Sequence, residues 1–429
     1  MIKFPKEIKQ VIKAIEEKGF EAYAVGGCVR DCLLGKEPPD WDLAANAGQN
    51  QLLLIFPDAK VTSEKLGVIN INAGQGEGAI PVDIARYRID GAYSDHRRPD
   101  DVVFVDKIEE DLARRDFTVN AMAANPEKGL IDLFSGRQDL HEKIIRTVGD
   151  PLARFEEDPL RIMRAVRFSA QLGFEIEEKT YAAVIKKRKL LSEISADRIR
   201  QEFEKILTSE FAGRGLKLLA RTGLMNYIIG DLADWMSRRA SGEFADLIEN
   251  IDKTKRIRER RLGLFYTCFE GKDGLDAAKV LNYDAKTMAK IKDALELIEP
   301  LHLIATKLEF KKFVARYGME RYEYLDGLAK ALHIVHDTSN AKAKTRYYIM
   351  EEIKYKNEPL LLSDLAVDGD DLIEFGVAKG ERVGEILGIL LDIVHQKPHC
   401  NRRDYLLARA RECSENKIIA AVQRMRWLR

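Results

Sequence analysis

The spacing of apolar residues along the chain changes character twice. Ile8, Val11, Ile12 and Ile15 recur at helical intervals, which predicts a helix over 6–18, with Pro5 near its first turn and Gly19 at its end. Short apolar runs follow. "EAYAV", "DWDLAAN", "AKVTSEKLGVINI" and "AIPVDIARY" predict strands, and "CVRDCLLG" a short helix between the first two. Residues 87–107 begin as a polar stretch broken by Gly and Pro and predict a loop. From about 108 the spacing becomes helical, and beyond 150 almost nothing has the period of a strand. The expected class is therefore α+β: a mixed α/β head of about 140 residues, then a long all-α remainder. Candidate joints in the remainder are "TSEFAGRG", "RRASGEF" and "KNEPLLLSD".

Length and charge narrow the picture. At 429 residues the chain is too long for one core, and Lys+Arg and Asp+Glu balance at 70 each, which excludes a global cationic field. Any nucleic-acid contact must then rest on local patches such as "KKRK", "KTKRIRERR", "KAKTR" and the basic end of the chain. Charged residues at 33% and hydrophobic residues at 45% fit a helix-rich soluble protein. The five cysteines form no ligand-like cluster and read as reduced thiols of a cytoplasmic protein, with Cys28 and Cys32 packing on one helix. The N-terminal segment lacks the apolar run of a signal peptide, and no run approaches the ~20 residues that span a bilayer.

The stretch "AVGGCVRDCLLGKEPPDWDLA" carries the first chemistry. Side chains alternate along a strand, so a D-x-D there puts Asp40 and Asp42 on one face, where hard carboxylate oxygens suit magnesium, while Trp41 faces the core. Gly26 and Gly27 close the preceding strand, offering backbone N–H groups to phosphate with Arg30 as a charged donor. An ordinary strand-to-helix turn and a solvated acidic strand end are the plainer readings. Asp83, on a later strand, is a candidate third acid that could complete a ligand shell or take a proton, or could simply pair with Arg86. In "DLARRDFTVNAM", Asp116 and Asn120 stand four apart on an expected helical face that could grip a ribose, and Arg115 could reach phosphate or base. Asp116 as a helix cap is the alternative.

The segment "EEDPLRIMRAVRFSAQLGF" is the most specific. Asp158 before Pro159 reads as a helix start, and Arg161, Arg164 and Arg167 recur every third residue. A carboxylate only accepts hydrogen bonds and a guanidinium only donates. A base edge that satisfies both must show an amino group beside an unprotonated ring nitrogen, as cytosine (N4, N3) and adenine (N6, N1) do. Guanine and uracil show a carbonyl beside a protonated nitrogen, which leaves buried polar groups unpaired. Asp158 with Arg161 would thus select C and A, with Arg164 and Arg167 along a triphosphate.

In this order "GGCVRD", "DWD", "RRPDDVVF…EEDLARRDFTVNAM" and "EEDPLRIMRAVRF" resemble the class II tRNA nucleotidyltransferase and poly(A) polymerase family, over about 20–205. "DGDDLIEFGVAKGERVGEIL" is similar, more loosely, to the family's tail. The resemblance implies a nucleotidyltransferase head (1–145), a helical neck carrying the nucleotide template (146–207), a body (208–358) and a tail (359–429) that together clamp the acceptor end of tRNA. It implies magnesium on Asp40 and Asp42, phosphate contacts at Gly27 and Arg30, a nucleotide contact at Arg115, and an amino-acid template at Asp158 and Arg161 with Arg164 and Arg167 beside it. CTP and ATP are the expected substrates, and the loop around "YSDHRRPDDV" is similar to the segment associated with switching from C to A. A-adding and poly(A) activities share these motifs. A non-catalytic tRNA-binding protein and a small-molecule nucleotidyltransferase are the more distant readings. Oligomeric state is left open.

Overall fold

The computed structural model describes residues 2–74, 76–91, 102–232, 242–269 and 271–415. Most of the "YSDHRRPDDV" loop, part of the "RRASGEF" joint and the last basic residues lie outside these. The chain forms two compact units, one of 1–248 with 276–282, the other of 249–275 with 283–429. Residues assigned above to head and neck fall in the first.

In the first unit, α1 (Lys6–Glu16) buries the predicted stripe of Ile8, Val11, Ile12 and Ile15. Then come β1 (Ala22–Val25), α2 (Gly27–Leu33), β2 (Trp41–Ala45), α3 (Gln49–Ile55), β3 (Lys60–Ser63), β4 (Val68–Ala73) and β5 (Ile80–Arg86). Two short strands follow, β6 (Arg88–Asp90) and β7 (Val102–Phe104), then α4 (Ile108–Ala113), β8 (Ala123–Asn125) and β9 (Gly129–Ile131). A seven-stranded sheet has the order β3-β4-β5-β2-β1-β8-β9. Only β2 and β5 among these neighbours run parallel, and their register sets Asp42 opposite Asp83.

The sequence reading is corrected at two places. The expected loop over 87–107 contains β6 and β7, which pair antiparallel with Arg88 opposite Phe104. The helical reading from 108 holds for α4 and is then interrupted until 136. Phe117 forms a bridge to Thr147, and Thr118–Asn120 is a single 3-10 turn. The alanines of "AMAAN" favour helix by propensity, but their small side chains are buried between β1 and β9, with Ala24 opposite Ala124.

The first unit continues with α5 (Gly136–Glu142), the two-residue strands β10 (Ile144–Ile145) and β11 (Glu175–Ile176), α6 (Pro151–Glu157), α7 (Leu160–Leu172), α8 (Glu178–Lys187), α9 (Ala196–Leu207) and α10 (Ala212–Thr222). α7 is the central helix among these. Ile162, Met163, Ala165, Val166 and Ala170 are fully buried. The second unit is helical. Its longer helices are Ala285–His302, Met319–Val335, Ala341–Tyr355 and Glu381–Gln396, and one of its cores gathers Leu372, Ile386, Leu390, Val394 and Leu406. No helix among the described residues is long and apolar enough to cross a membrane.

α10 approaches α7 and α9 through a glycine. A methyl group at Gly215 would lie 2.5 Å from Ile206 Cγ2 and 2.9 Å from Ala170 Cβ. Alanine favours a helix over glycine by about 1 kcal/mol, but forcing carbon into a packed contact costs about 1–3 kcal/mol. Gly215→Ala should therefore lower the urea midpoint of unfolding; an unchanged or higher midpoint would mean that α10 can shift away from its neighbours without loss.

Candidate nucleotide-binding site

A cavity of about 520 Å³ opens where the phosphate turn, the 3-10 turn and α7 meet. Its lining includes Arg30, Arg88, Arg114, Arg115, Arg161, Arg164 and Arg198 against Asp42, Asp116 and Asp158, a formal excess of four positive charges. That is the sign, and roughly the size, of charge that a triphosphate group needs.

Backbone geometry forms one wall. Gly26 ends β1 with φ +75, a left-handed conformation that suits glycine, and a methyl group there would lie 2.9 Å from Arg115 Nη1. The guanidinium therefore lies directly over the turn. Arg115 is held from behind by Asp111 (3.0 Å), which also takes Arg114 (2.7 Å). Burial alone would raise the Asp111 carboxyl, but Arg115 and Arg114 keep it below the usual carboxylate range. Asp111 stands three and four residues from the two arginines, so its role was legible from spacing, but it was overlooked.

A second chain of contacts joins the turn to α7. Arg30 Nη1 donates to Asn120 Oδ1 (2.7 Å), Asn120 Nδ2 donates to Asp116 Oδ1 (3.4 Å), and Arg164 Nε donates to Asp116 Oδ2 (2.8 Å). Asp116 also accepts from the Phe117 N–H (2.8 Å). Asp116 and Asn120 do lie side by side, though not on a helix. Asp116 caps no helix and is committed to Arg164. It is buried, which by itself would raise its carboxyl, but Arg164 draws it down to about 2. Phe168 floors this corner, with the guanidiniums of Arg164 and Arg30 at 5.5 and 5.6 Å from its ring centre.

The expected base-reading pair lines the same cavity. Asp158 lies between α6 and α7. Its Oδ1 accepts from the Leu160 N–H (3.1 Å) and from Arg198 (3.5 Å), and its Oδ2 accepts nothing among the described residues. Desolvation pushes the Asp158 carboxyl up, with Arg198 and Arg161 opposing. Arg161 donates to Glu157 Oε2 (2.7 Å) and to the carbonyls of Arg154 (3.3 Å) and Arg114 (3.1 Å). Of the five N–H donors on a guanidinium, this leaves two. The couple thus keeps one spare acceptor and spare donors, the complement that a C or A edge requires.

Three predicted positions stand apart. Arg167 does not line the cavity. It pairs with Glu202 of α9 (3.0 Å) and lies over Phe168 (4.3 Å), and burial lowers its guanidinium to about 10. Asp83 is tied to Asn70 (2.7 Å) rather than to Arg86, which approaches Asp106 (3.9 Å). Asp40 sits at the exposed bend before β2, while Asp42 is on the strand and at the cavity. Desolvation raises the Asp42 carboxyl above the usual range, Asp40 and Asp83 add to this, and Arg115 opposes it. Among the described residues no three Asp, Glu, His or Cys side chains converge as a metal site. Trp41, as expected, is buried, 5.5 Å from Phe4.

The Asp116 carboxyl is depressed when folded, so its contribution to stability is complete above the unfolded value of 3.8 and is lost as pH falls toward 2. Asp116→Asn should cost about 2 kcal/mol or more at pH 6. In urea titrations the gap between wild type and variant should close as pH falls from 4 to 2; a gap independent of pH would remove the ion pair from the account.

Known relatives match most of the chain. Residues 22–146 match the family described as "Poly A polymerase head domain", and 173–236 match "Probable RNA and SrmB- binding site of polymerase A". A CCA-adding enzyme of a Geobacillus species is 34% identical over 89% of this chain and 90% of its own. One from Lactococcus lactis is 36% identical over 90% and 93%. The crystal structure of the Bacillus stearothermophilus CCA-adding enzyme in complex with CTP superposes with a TM-score of 0.77 at 29% identity, covering 96% of this chain and 98% of that one. On fold, motif order and extent of identity, this chain belongs to the class II tRNA nucleotidyltransferase and poly(A) polymerase family, among the CCA-adding enzymes.

Proposed function

We propose that this protein adds C and A to the 3′ end of tRNA from CTP and ATP without a nucleic-acid template. One observation carries the reading: the glycine turn, the arginine excess and the Asp158–Arg161 couple line one cavity. A triphosphate held by Gly26, Gly27, Arg30, Arg115 and Arg164 would leave its base against Asp158 and Arg161. Cytosine N4 or adenine N6 donates to Asp158, and the adjacent ring nitrogen accepts from Arg161. A guanine or uracil edge meets acceptor with acceptor and donor with donor, which a desolvated site penalises heavily.

The reaction itself asks for positioning and charge stabilisation. The tRNA 3′-oxygen bonds to the α-phosphorus, the bond from the α-phosphorus to the bridging oxygen breaks, and pyrophosphate leaves toward the arginines. Asp42 and Asp40 fit a divalent cation in donor chemistry, since both are hard carboxylates and Asp40 already strains the charge of Asp42. Magnesium held there would supply Lewis-acid activation of the attacking hydroxyl and neutralise phosphate charge. With Asp83 engaged by Asn70, the two-carboxylate set is the simpler assignment.

The product ladder on tRNA lacking one, two or three terminal nucleotides tests this. Wild type should add C, C and A in order and stop, using CTP and ATP only. Addition of A alone, or of an extended A tract, would assign the A-adding or poly(A) activity instead. In the same assay Asp42→Ala should slow incorporation by about 10²-fold or more while leaving the fold intact. Normal incorporation by that variant would remove the carboxylate from the mechanism.

A further inference from the structure

A third charged group belongs with the base-reading couple. Arg198 lies in the first turn of α9 and lines the same cavity. Its Nη2 stands 3.5 Å from Asp158 Oδ1, and less than a fifth of either side chain is exposed. A cation in the first turn of a helix opposes the helix dipole, so α9 itself gains nothing from it. The compensation is the Asp158 carboxylate.

The contact makes the two oxygens of Asp158 unequal. Oδ1 accepts from the Leu160 N–H (3.1 Å) and faces Arg198, whereas Oδ2 accepts nothing among the described residues. The surroundings also disfavour the charge. Burial pushes the carboxyl above its usual range, and Arg198 gives the largest opposition, ahead of Arg161 and Arg164. Those two cations are shared with other acids, Arg161 with Glu157 (2.7 Å) and Arg164 with Asp116 (2.8 Å).

Ionisation decides what the couple can read. A carboxylate only accepts, so it takes the amino group of cytosine or adenine. A protonated carboxyl carries a donor beside an acceptor. That is the complement of uracil, whose O4 accepts beside the N3–H, and of guanine, whose O6 accepts beside the N1–H. Either edge can then pair with the carboxyl alone, without Arg161. Rejection of U and G therefore requires that Asp158 stay an anion in a desolvated place.

We propose that Arg198 is a specificity-determining residue that acts through Asp158: it holds Oδ1, keeps the group an acceptor and leaves Oδ2 for the amino group of C or A. The proposal rests on the base-reading couple above and deepens it by naming what sets its choice. The test is the ratio of kcat/KM for CTP over UTP at pH 8 and at pH 6, from which the titration of the shared triphosphate cancels. In wild type the ratio should be the same at both. Removing the cation moves the Asp158 carboxyl further up, so protonation enters as pH falls. Arg198→Gln should therefore lose selectivity about tenfold between pH 8 and pH 6 and regain it at pH 8. Arg198→Met, which keeps the aliphatic stem, gives the same reading where glutamine disturbs packing. Arg198→Lys restores a cation and should hold the ratio constant. Asp158→Asn, a permanent donor beside an acceptor, should give a low ratio at both pH values. Competition of CTP and UTP for the full chain without tRNA gives the ratio separately from turnover. Neutral variants as selective as wild type at both pH values would overturn the proposal, as would an equal loss at both, which marks a merely structural role. A pH-dependent binding ratio in a chain that adds no nucleotide would uphold the role of Arg198 and reject the catalytic reading. A wild type that binds CTP and UTP alike would reject the base-reading couple and this proposal with it.

Discussion

The site depends on one ion pair, made by a buried carboxylate and a half-buried guanidinium. Asp116 and Arg164 are 48 positions apart, one beside the 3-10 turn and the other on α7. Removing Arg164 would leave a buried carboxylate unpaired, a loss of several kcal/mol. Through Asn120 the pair reaches Arg30, and through Arg30 the glycine turn. Phosphate-binding and base-reading groups are therefore held on one frame, so where a triphosphate lies fixes where its base falls.

Electrostatics supports this division. The arginines of the cavity are backed by Asp111, Asp31 and Glu157, which hold them in place. Asp42 and Asp158 differ from Asp116. Burial raises both carboxyls, and each retains the capacity to meet a ligand. Structural carboxylates are stabilised as anions, whereas those assigned to chemistry are destabilised until a partner arrives.

Much of the site was legible because its residues sit in short motifs whose donors and acceptors can be counted. The acceptor and donors of Asp158 and Arg161 follow from residue type alone and survive in the fold. Arg167 was misplaced for a geometric reason. A helix turns about 100° per residue, so residues three apart drift by about 60° per step, and by the third arginine the side chain faces α9 and Glu202. The strand β8 was missed because alanine carries no β signal and β9 because three residues are too few to show a period, and the pairing of β6 with β7 is made by contacts twelve to sixteen residues apart, Asp90 with Val102 and Arg88 with Phe104 among them. Arg198 reaches Asp158 from 40 positions away, and no local spacing could announce it.

The central claim, that one carboxylate–guanidinium couple chooses the base, is tested most directly by selectivity rather than rate. The ratio of kcat/KM for CTP over UTP is to be compared between wild type and Asp158→Ala. A ratio cancels any general loss from disturbed packing or weaker triphosphate binding. The account predicts a fall in that ratio of about 10²-fold or more. A variant that is slower but equally selective would contradict it, leaving the cavity a triphosphate site whose base is read elsewhere.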